Sequence, residues 1–188
     1  MDNEQEQKVS EKLKTSPSSE ESRLEPQLYS GRLFFSVSPL KFIVMSMCTF
    51  GLYELFWQYK NWQLISERTG RKLHSFWRAF FAYIFIYELL KEIRQVANDR
   101  GVVNNLPAGM LAAAWIIVTL TWKAPEPISQ LSTFAFIALL PAIQLINRVE
   151  SSTKSESEPN SKFSVLNWIA IIIGGGLLFL SFLGSLMQ

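Results

Sequence analysis

Ionisable side chains inside apolar stretches are the residues of this 188-residue chain best suited to chemistry. Glu54 lies within one apolar run, while Arg78 and Glu88 flank another. Because a charge at membrane depth is costly, such residues mark candidate proton or cation sites. Plainer alternatives stay open. Glu54 could reach the interface near Lys60, Glu88 could form an intrahelical pair with Lys91, and Arg78 could contact Glu54 from another helix.

Three consecutive glycines, Gly174, Gly175 and Gly176, occupy one turn of the last apolar segment. With Ala170, the first of them forms a small-xxx-small pair, a pattern that lets two helix backbones approach closely. The pattern favours a helix-packing surface. A hinge or a cavity wall is the alternative, because adjacent glycines also loosen a helix.

This sequence contains few residues that could bind a metal ion or act as a nucleophile. Cys48 is the only cysteine and His74 the only histidine, so one chain cannot assemble a His/Cys metal cluster. No phosphate-binding loop or nucleophile elbow occurs, and the net charge of +2 forms no basic stripe for nucleic acid. We therefore predict a protein that is not an enzyme, with no catalytic, cofactor-binding or metal-binding residues, no cofactor and no nucleic-acid partner.

Long uncharged stretches must position the candidate residues. Residues 101–122, 127–147 and 163–188 contain no Asp, Glu, Lys or Arg. Each can cross a bilayer core, which takes about 20 helical residues. A soluble chain of this length would have too little polar surface to cover three such helices. The sequence thus predicts an all-α, polytopic transmembrane helical bundle whose main partner is the lipid bilayer.

Five hydrophobic helices are expected within a transmembrane domain of residues 33–188. Their predicted ranges are 39–60, 76–96, 106–122, 127–149 and 165–187, with a mobile loop at 150–163. Ser38 and Pro39 supply a cap and a first-turn proline for the first helix, and Pro141 should kink the fourth. Residues 1–32 are polar and hold no apolar run, which predicts a disordered tail and no cleaved signal peptide.

The second helix, 76–96, decides the predicted topology. Its charge-free run at 79–87 is short for a bilayer core, so either four or five helices span, depending on whether this one crosses or lies at the surface. Five spans divide the flanking basic residues nine to six, which weakly favours a cytoplasmic N-terminus. The other topology divides them eleven to four but requires translocation of the polar tail. We predict five spans, with residues 62–74 outside and 97–105 inside.

Two sequence runs resemble a known family. SPLKFIVMSMCTFGLYELFWQYKNW at 38–62 and SFWRAFFAYIF at 75–85 resemble a family of small bacterial inner-membrane proteins known mainly as hypothetical proteins. They are also similar to a wider group, of unknown function, that bears a Thr-x-Gly-x-Tyr-x-x-x-Trp-like signature. Here it falls on Thr49, Gly51, Tyr53 and Trp57. The resemblance implies a bacterial cytoplasmic-membrane location and several helices, and it carries no activity or substrate.

Two functions are compatible with these patterns. The leading hypothesis is a noncatalytic integral membrane protein of the bacterial inner membrane with an assembly, scaffold or envelope-maintenance role. It would act through contacts with lipid, with other membrane proteins or with a second copy. The alternative is a small transporter or channel subunit that uses intramembrane carboxylates, and Glu54, Glu88, Pro141 and the glycine run favour it.

The polar tail generates the first test. Because residues 2–28 cannot support a hydrophobic core and precede the first apolar segment, we expect their deletion to leave membrane insertion unchanged. Fractionation of cells that express the truncated and full-length chains would measure this. A soluble or degraded truncated product would contradict the prediction.

Overall fold

The computed structural model describes residues 31–126, 128–152 and 159–186, with side chains up to residue 180. The predicted disordered tail and residues 153–158 of the predicted mobile loop fall outside these ranges. The described residues are all-α, apart from one isolated bridge between Val37 and Asn160. Their helices are α1 (Pro39–Cys48), α2 (Leu52–Thr69), α3 (Ser75–Phe80), α4 (Ala82–Asp99), α5 (Ala108–Leu120), α6 (Leu140–Ser152) and α7 (Val165–Leu186), with 3₁₀ segments at Thr121–Lys123 and Ile128–Leu139.

The prediction of one continuous helix at 39–60 was wrong. Phe50 and Gly51 have φ angles of 51° and 86°, in the left-handed region that glycine adopts without a steric penalty, and the helix is interrupted there. On α1, Phe42 packs against Tyr53 and Trp57 of α2, with ring centroids 5.9 and 5.7 Å apart. Because residues before Phe42 meet residues later in α2, the two helices form an antiparallel hairpin.

The predicted helix at 76–96 is also interrupted. Phe81, with φ −91° and ψ 44°, separates α3 from α4. The first residues of α4 line the same cavity as the first turn of α2. Ten residues into α4, Glu92 forms a 2.7 Å ion pair with Arg68 near the end of α2. Helices α2 and α4 therefore run in the same direction, and residues 70–81 carry the chain back between them.

The remaining helices alternate in direction. Tyr83 on α4 lies against Trp115 on α5, with ring centroids 5.5 Å apart, and Tyr87 lies beside the earlier Gly109. Helix α5 is therefore antiparallel to α4. The 3₁₀ segment Ile128–Leu139 and α6 return the chain, and α7 then runs parallel to α1, because residues 160 and 162 meet the start of α1 and Gly174 meets its end.

One end of the bundle, which we call the basal end, gathers residues 33–38, 66–74, 92–106, 147–152 and 159–162. Its centre is an extended strip at 33–37 whose backbone is bound by side chains. The N–H groups of Leu33 and Phe34 donate to Glu150 Oε1 at 2.8 and 2.7 Å, and that of Phe35 donates to Asn61 Oδ1 at 3.0 Å. Buried non-helical backbone must have such partners. Glu150 was predicted to begin a loop, and it is instead a buried residue of α6.

Basic residues are distributed very unevenly along the bundle. Ten of them lie at the basal end or on the helix ends next to it: Arg32, Lys41, Arg68, Arg71, Lys72, Lys91, Arg94, Arg100, Arg148 and Lys162. Lys60 and Arg78 lie at intermediate heights. Within the described residues, Lys123 is the one basic side chain at the opposite end, which we call the cavity end.

Large apolar side chains cover much of the outer surface. On α7, Leu166, Ile172, Ile173 and Leu180 are all at least 60% exposed, and Phe76 and Phe80 on α3 are similarly open. By length and composition, Ile128–Ser152 is one described helix that can cross a membrane. Shorter apolar helices lie at Pro39–Cys48, Ala108–Lys123 and Val165–Leu180. An exposed apolar surface of this extent is typical of a lipid or protein contact.

Of the glycine run, only Gly174 lies at a helix crossing. A Cβ added there would overlap the backbone carbonyl of Cys48, so α1 and α7 can approach this closely only because the residue is glycine. A Cβ at Gly175 or Gly176 would meet nothing within 4 Å, and Ala170 is half-buried. The crossing lies about 14 Å along α7 from Val165, so the α1–α2 turn reaches only part of the length of α7.

The α1–α2 hairpin and the return of the chain through residues 70–81 generate a topology test. The fold places the exposed residues Glu67 and Asp99 at the basal end and exposed Glu126 at the cavity end. In a Cys48→Ser background, we expect single cysteines at 67 and 99 to react equally with a membrane-impermeant thiol reagent in intact cells, and a cysteine at 126 to behave oppositely. Labelling at 67 without labelling at 99 would restore the five-span topology.

Candidate functional site

The turn at residues 49–51 positions the first candidate residue. Thr49 Oγ1 donates to the Met45 carbonyl at 2.7 Å and accepts from the Tyr53 N–H at 2.9 Å, so this hydroxyl joins the end of α1 to the start of α2. Gly51 supplies the left-handed backbone. Glu54 then falls in the first turn of α2, where free N–H groups and the helix dipole favour a carboxylate.

Glu54 is buried inside the bundle, with 3% of its surface exposed. The indole N–H of Trp115 donates to its Oε2 at 2.5 Å. Its Oε1 lies beside Gly51 and makes no further hydrogen bond with the described residues. Trp115 lies about 10 Å along α5 from Ala108, and Lys123 lies about 12 Å beyond it, so the carboxylate is near the middle of that helical segment. Glu54 is therefore enclosed by the protein, while the alternative of an interfacial Glu54 beside Lys60 stays a prediction.

A cavity of about 270 Å³ lies beside this carboxylate. Its polar lining consists of Glu54 and the side chains of Tyr83, Thr119, Ser132 and Thr133. Its apolar lining includes the rings of Phe50, Phe80, Trp115 and Trp122. Because the first residues of α2 and α4 and the second half of α5 meet here, the two interrupted helices are what create this space. A carboxylate in a largely aromatic cavity is suited to binding a cation.

Buried polar residues continue from Glu54 along α2. Gln58 and Asn61 follow at four and seven positions, which places all three on one helix face. Neither amide atom of Gln58 has a hydrogen-bond partner among the described residues, although the side chain is fully buried. Asn61 binds the Phe35 N–H at the basal end. A row of polar groups therefore leads from the cavity toward the basal end, and its middle member has unsatisfied donors and an unsatisfied acceptor.

The other two ionisable candidates bind one another. Arg78 Nη1 and Glu88 Oε2 form an ion pair at 2.9 Å, and the guanidinium also lies over the rings of Trp62 and Phe85 at 4.5 and 4.8 Å. The Glu88 side chain is 52% exposed. The expected Glu88–Lys91 pair and the expected Arg78–Glu54 contact are replaced by this pair. Glu54 is thus separated from the candidates that the sequence grouped with it.

Sequence reasoning missed Trp115 and Gln58. An indole in an apolar helix looks like any interfacial aromatic, so only the packing of α5 on α2 reveals Trp115 as the partner of Glu54. Gln58 carried a signal, because an amide four residues after a carboxylate in an apolar run shares its helix face. No group of three or more His, Cys, Asp or Glu side chains in the described residues could hold a metal ion.

Comparisons with known proteins do not assign this chain to a family. A scan against protein-family models finds no matching family, and searches of curated proteins and of solved structures find no match. The resemblance of residues 38–62 and 75–85 to small inner-membrane proteins therefore stays a prediction.

The hydrogen bond between Trp115 and Glu54 generates a test of the site. Trp115→Phe keeps an aromatic ring but leaves the buried carboxylate without its donor, so we expect a loss of about 1.5–3 kcal/mol in the free energy of unfolding. Trp122→Phe, at an exposed indole in the same cavity, is the matched control and should change little. Equilibrium unfolding in mixed micelles would measure both. In a Glu54→Gln background the effect of Trp115→Phe should shrink, and equal losses in both backgrounds would contradict a direct contact.

Proposed function

We propose that the protein is a multi-pass membrane protein that carries a cation through a site at Glu54, as a small transporter or channel subunit. The observation that carries this proposal is the buried Glu54 carboxylate in the wall of a cavity, with the buried and unpartnered Gln58 one turn below it. Unsatisfied polar groups in a core reduce stability, so their presence indicates a use other than packing.

The charge distribution supports the proposed arrangement in the membrane. Three helical segments would cross the membrane: Ala108–Lys123, Ile128–Ser152 and α7. The chain through α1 and α2 would enter and leave the membrane at the basal end, and so would the chain through residues 70–81 and α4. Because basic residues favour the cytoplasmic side, the basal end and the N-terminus would be cytoplasmic. Broken helices that meet around a site within the bilayer are a recurring arrangement in transporters.

The polar row supports passage rather than binding alone. Glu54 would take the cation from the cavity, and the unpartnered amide of Gln58 would offer polar atoms one helical turn further along α2 toward the basal end. The unpartnered amide of Gln58 can both donate and accept, which suits it to a chain of waters or to a passing cation. By the resemblance noted for residues 38–62, this membrane would be the bacterial inner membrane.

The noncatalytic scaffold role is the second candidate. It is favoured by four exposed aromatic rings on and beside α3, those of Phe76, Trp77, Phe80 and Phe81. These rings pack on one another in stacked and edge-to-face pairs and offer a contact surface for a partner helix. If this is the function, no cation should produce a signal that depends on Glu54.

Electrical recording on a solid-supported membrane tests the proposal. Purified protein in liposomes would receive concentration jumps of protons, sodium, potassium and small organic cations in turn. We expect a transient current with at least one of them, reduced about tenfold or more by Glu54→Gln, because the neutral amide cannot balance the cation. Glu88→Gln is the matched control and should retain the current, since Glu88 lies outside the cavity in a half-exposed ion pair.

Gln58→Leu tests the polar row with a separate readout. Removing an unsatisfied buried amide should leave thermal stability equal to that of the wild type or raise it, whereas the current should fall. Gln63→Leu, at a half-buried position of the same helix, is the control. Unaltered currents in both Glu54→Gln and Gln58→Leu would exclude transport through the Glu54 site, and no current in the wild type with any cation would exclude the transport function.

A further inference from the structure

We propose that the ligand of the Glu54 cavity is a small organic monocation, an amine or quaternary ammonium attached to an apolar body. This inference rests on the proposed function and names the class of cation that the site would select. It is derived from the size of the cavity, its single carboxylate and its aromatic walls.

The size of the cavity argues against a bare inorganic ion. Small-molecule sites span about 300–1,000 Å³, and the cavity, at about 270 Å³, is close to the lower limit of that range. A dehydrated metal ion would leave most of this space empty. A molecule with a charged group and one small ring would fill it.

The ligand set argues in the same direction. Calcium and magnesium take about six or more oxygen ligands, whereas Glu54 has one carboxylate oxygen left after Trp115 binds the other. Two of the four hydroxyls in the lining already donate to backbone carbonyls nearby in sequence, that of Thr119 to Trp115 and that of Ser132 to Ser129. An ammonium group needs fewer oxygen ligands, because one charge-assisted contact and the faces of aromatic rings can replace its hydration.

Charge balance selects a monocation. Glu54 is the one acidic residue in the lining of this cavity, and the lining contains no Lys or Arg. A single positive charge would neutralise it, while a divalent ion would leave one positive charge that the lining does not balance. The site therefore discriminates by charge number as well as by shape.

Aromatic walls supply the remaining contacts. Phe50, Phe80 and Trp122 are about half-exposed or more, and Tyr83 packs on Trp115 at the carboxylate. Phe80 also packs against Phe76, Trp77 and Phe81, and Lys123 Nζ lies 5.5 Å from the centroid of the Trp122 ring. Ring faces attract cations by about 0.5–2 kcal/mol and also cover apolar groups. Neutral lipid tails could use the same walls but would gain nothing from Glu54, which separates the two occupants experimentally.

Binding of benzyltrimethylammonium tests the inference. Calorimetry on the full chain in nanodiscs would compare this cation with neopentylbenzene, its neutral carbon isostere. We expect the cation alone to bind, with an affinity reduced about tenfold or more by Glu54→Gln and about two- to thirtyfold by Trp122→Leu, from the loss of one cation–π contact. Glu88→Gln should bind as the wild type does, and Trp122→Leu, at an exposed position, keeps the test independent of folding defects in Glu54→Gln.

Each result has one interpretation. Equal binding of the neutral isostere, or cation binding that survives Glu54→Gln, would overturn the inference and identify the cavity as a pocket for apolar chains. Glu54-dependent currents with protons or sodium, without benzyltrimethylammonium binding, would overturn the inference and leave the proposed function standing. Glu54-dependent binding without current for any cation would support the ligand class and exclude transport.

Discussion

The turn at residues 49–51 is the constraint on which the rest of the structure depends. Reversing a helix leaves backbone groups without their helical partners, and hydrogen bonds within the turn satisfy several of them. Thr49 does so with one hydroxyl that links α1 to α2, and Gly51 takes the left-handed conformation. With this turn in place, Glu54 is buried in the first turn of α2. Helix α2 then returns the chain to the basal end, where the strip at 33–37 lies.

The same turn removes a conflict in the charge pattern. With α1 and α2 read as one crossing helix, the strong bias of basic residues could be obtained only by translocating the polar tail. The hairpin makes that unnecessary, because residues 33–38 and 66–74 lie at one end of the bundle. The basic side chains then gather at the basal end and leave Lys123 alone at the cavity end of the described chain. In the proposed membrane arrangement, the charge distribution and the fold agree without any polar segment crossing the bilayer.

Four buried polar side chains show two contrasting arrangements. Glu150 and Asn61 bind the backbone of the strip at 33–37, so their polarity is used to hold non-helical chain in the interior. Gln58 has no such partner, and Glu54 is held by one indole at the edge of a cavity. Only the second kind is left for a ligand. This contrast is the physical basis of the proposed cation site.

The apolar periodicity and the uncharged stretches by themselves determined that the chain is helical, because helix formation follows from local pattern and length. They also marked Glu54 as an unusual residue and Gly174 as a packing candidate. The breaks at Phe50 and Phe81, the pairing of Arg78 with Glu88 and the contact of Trp115 with Glu54 were decided by tertiary structure. A left-handed residue and a two-helix contact depend on which segments pack together, and that information is absent from the spacing of residues along one helix.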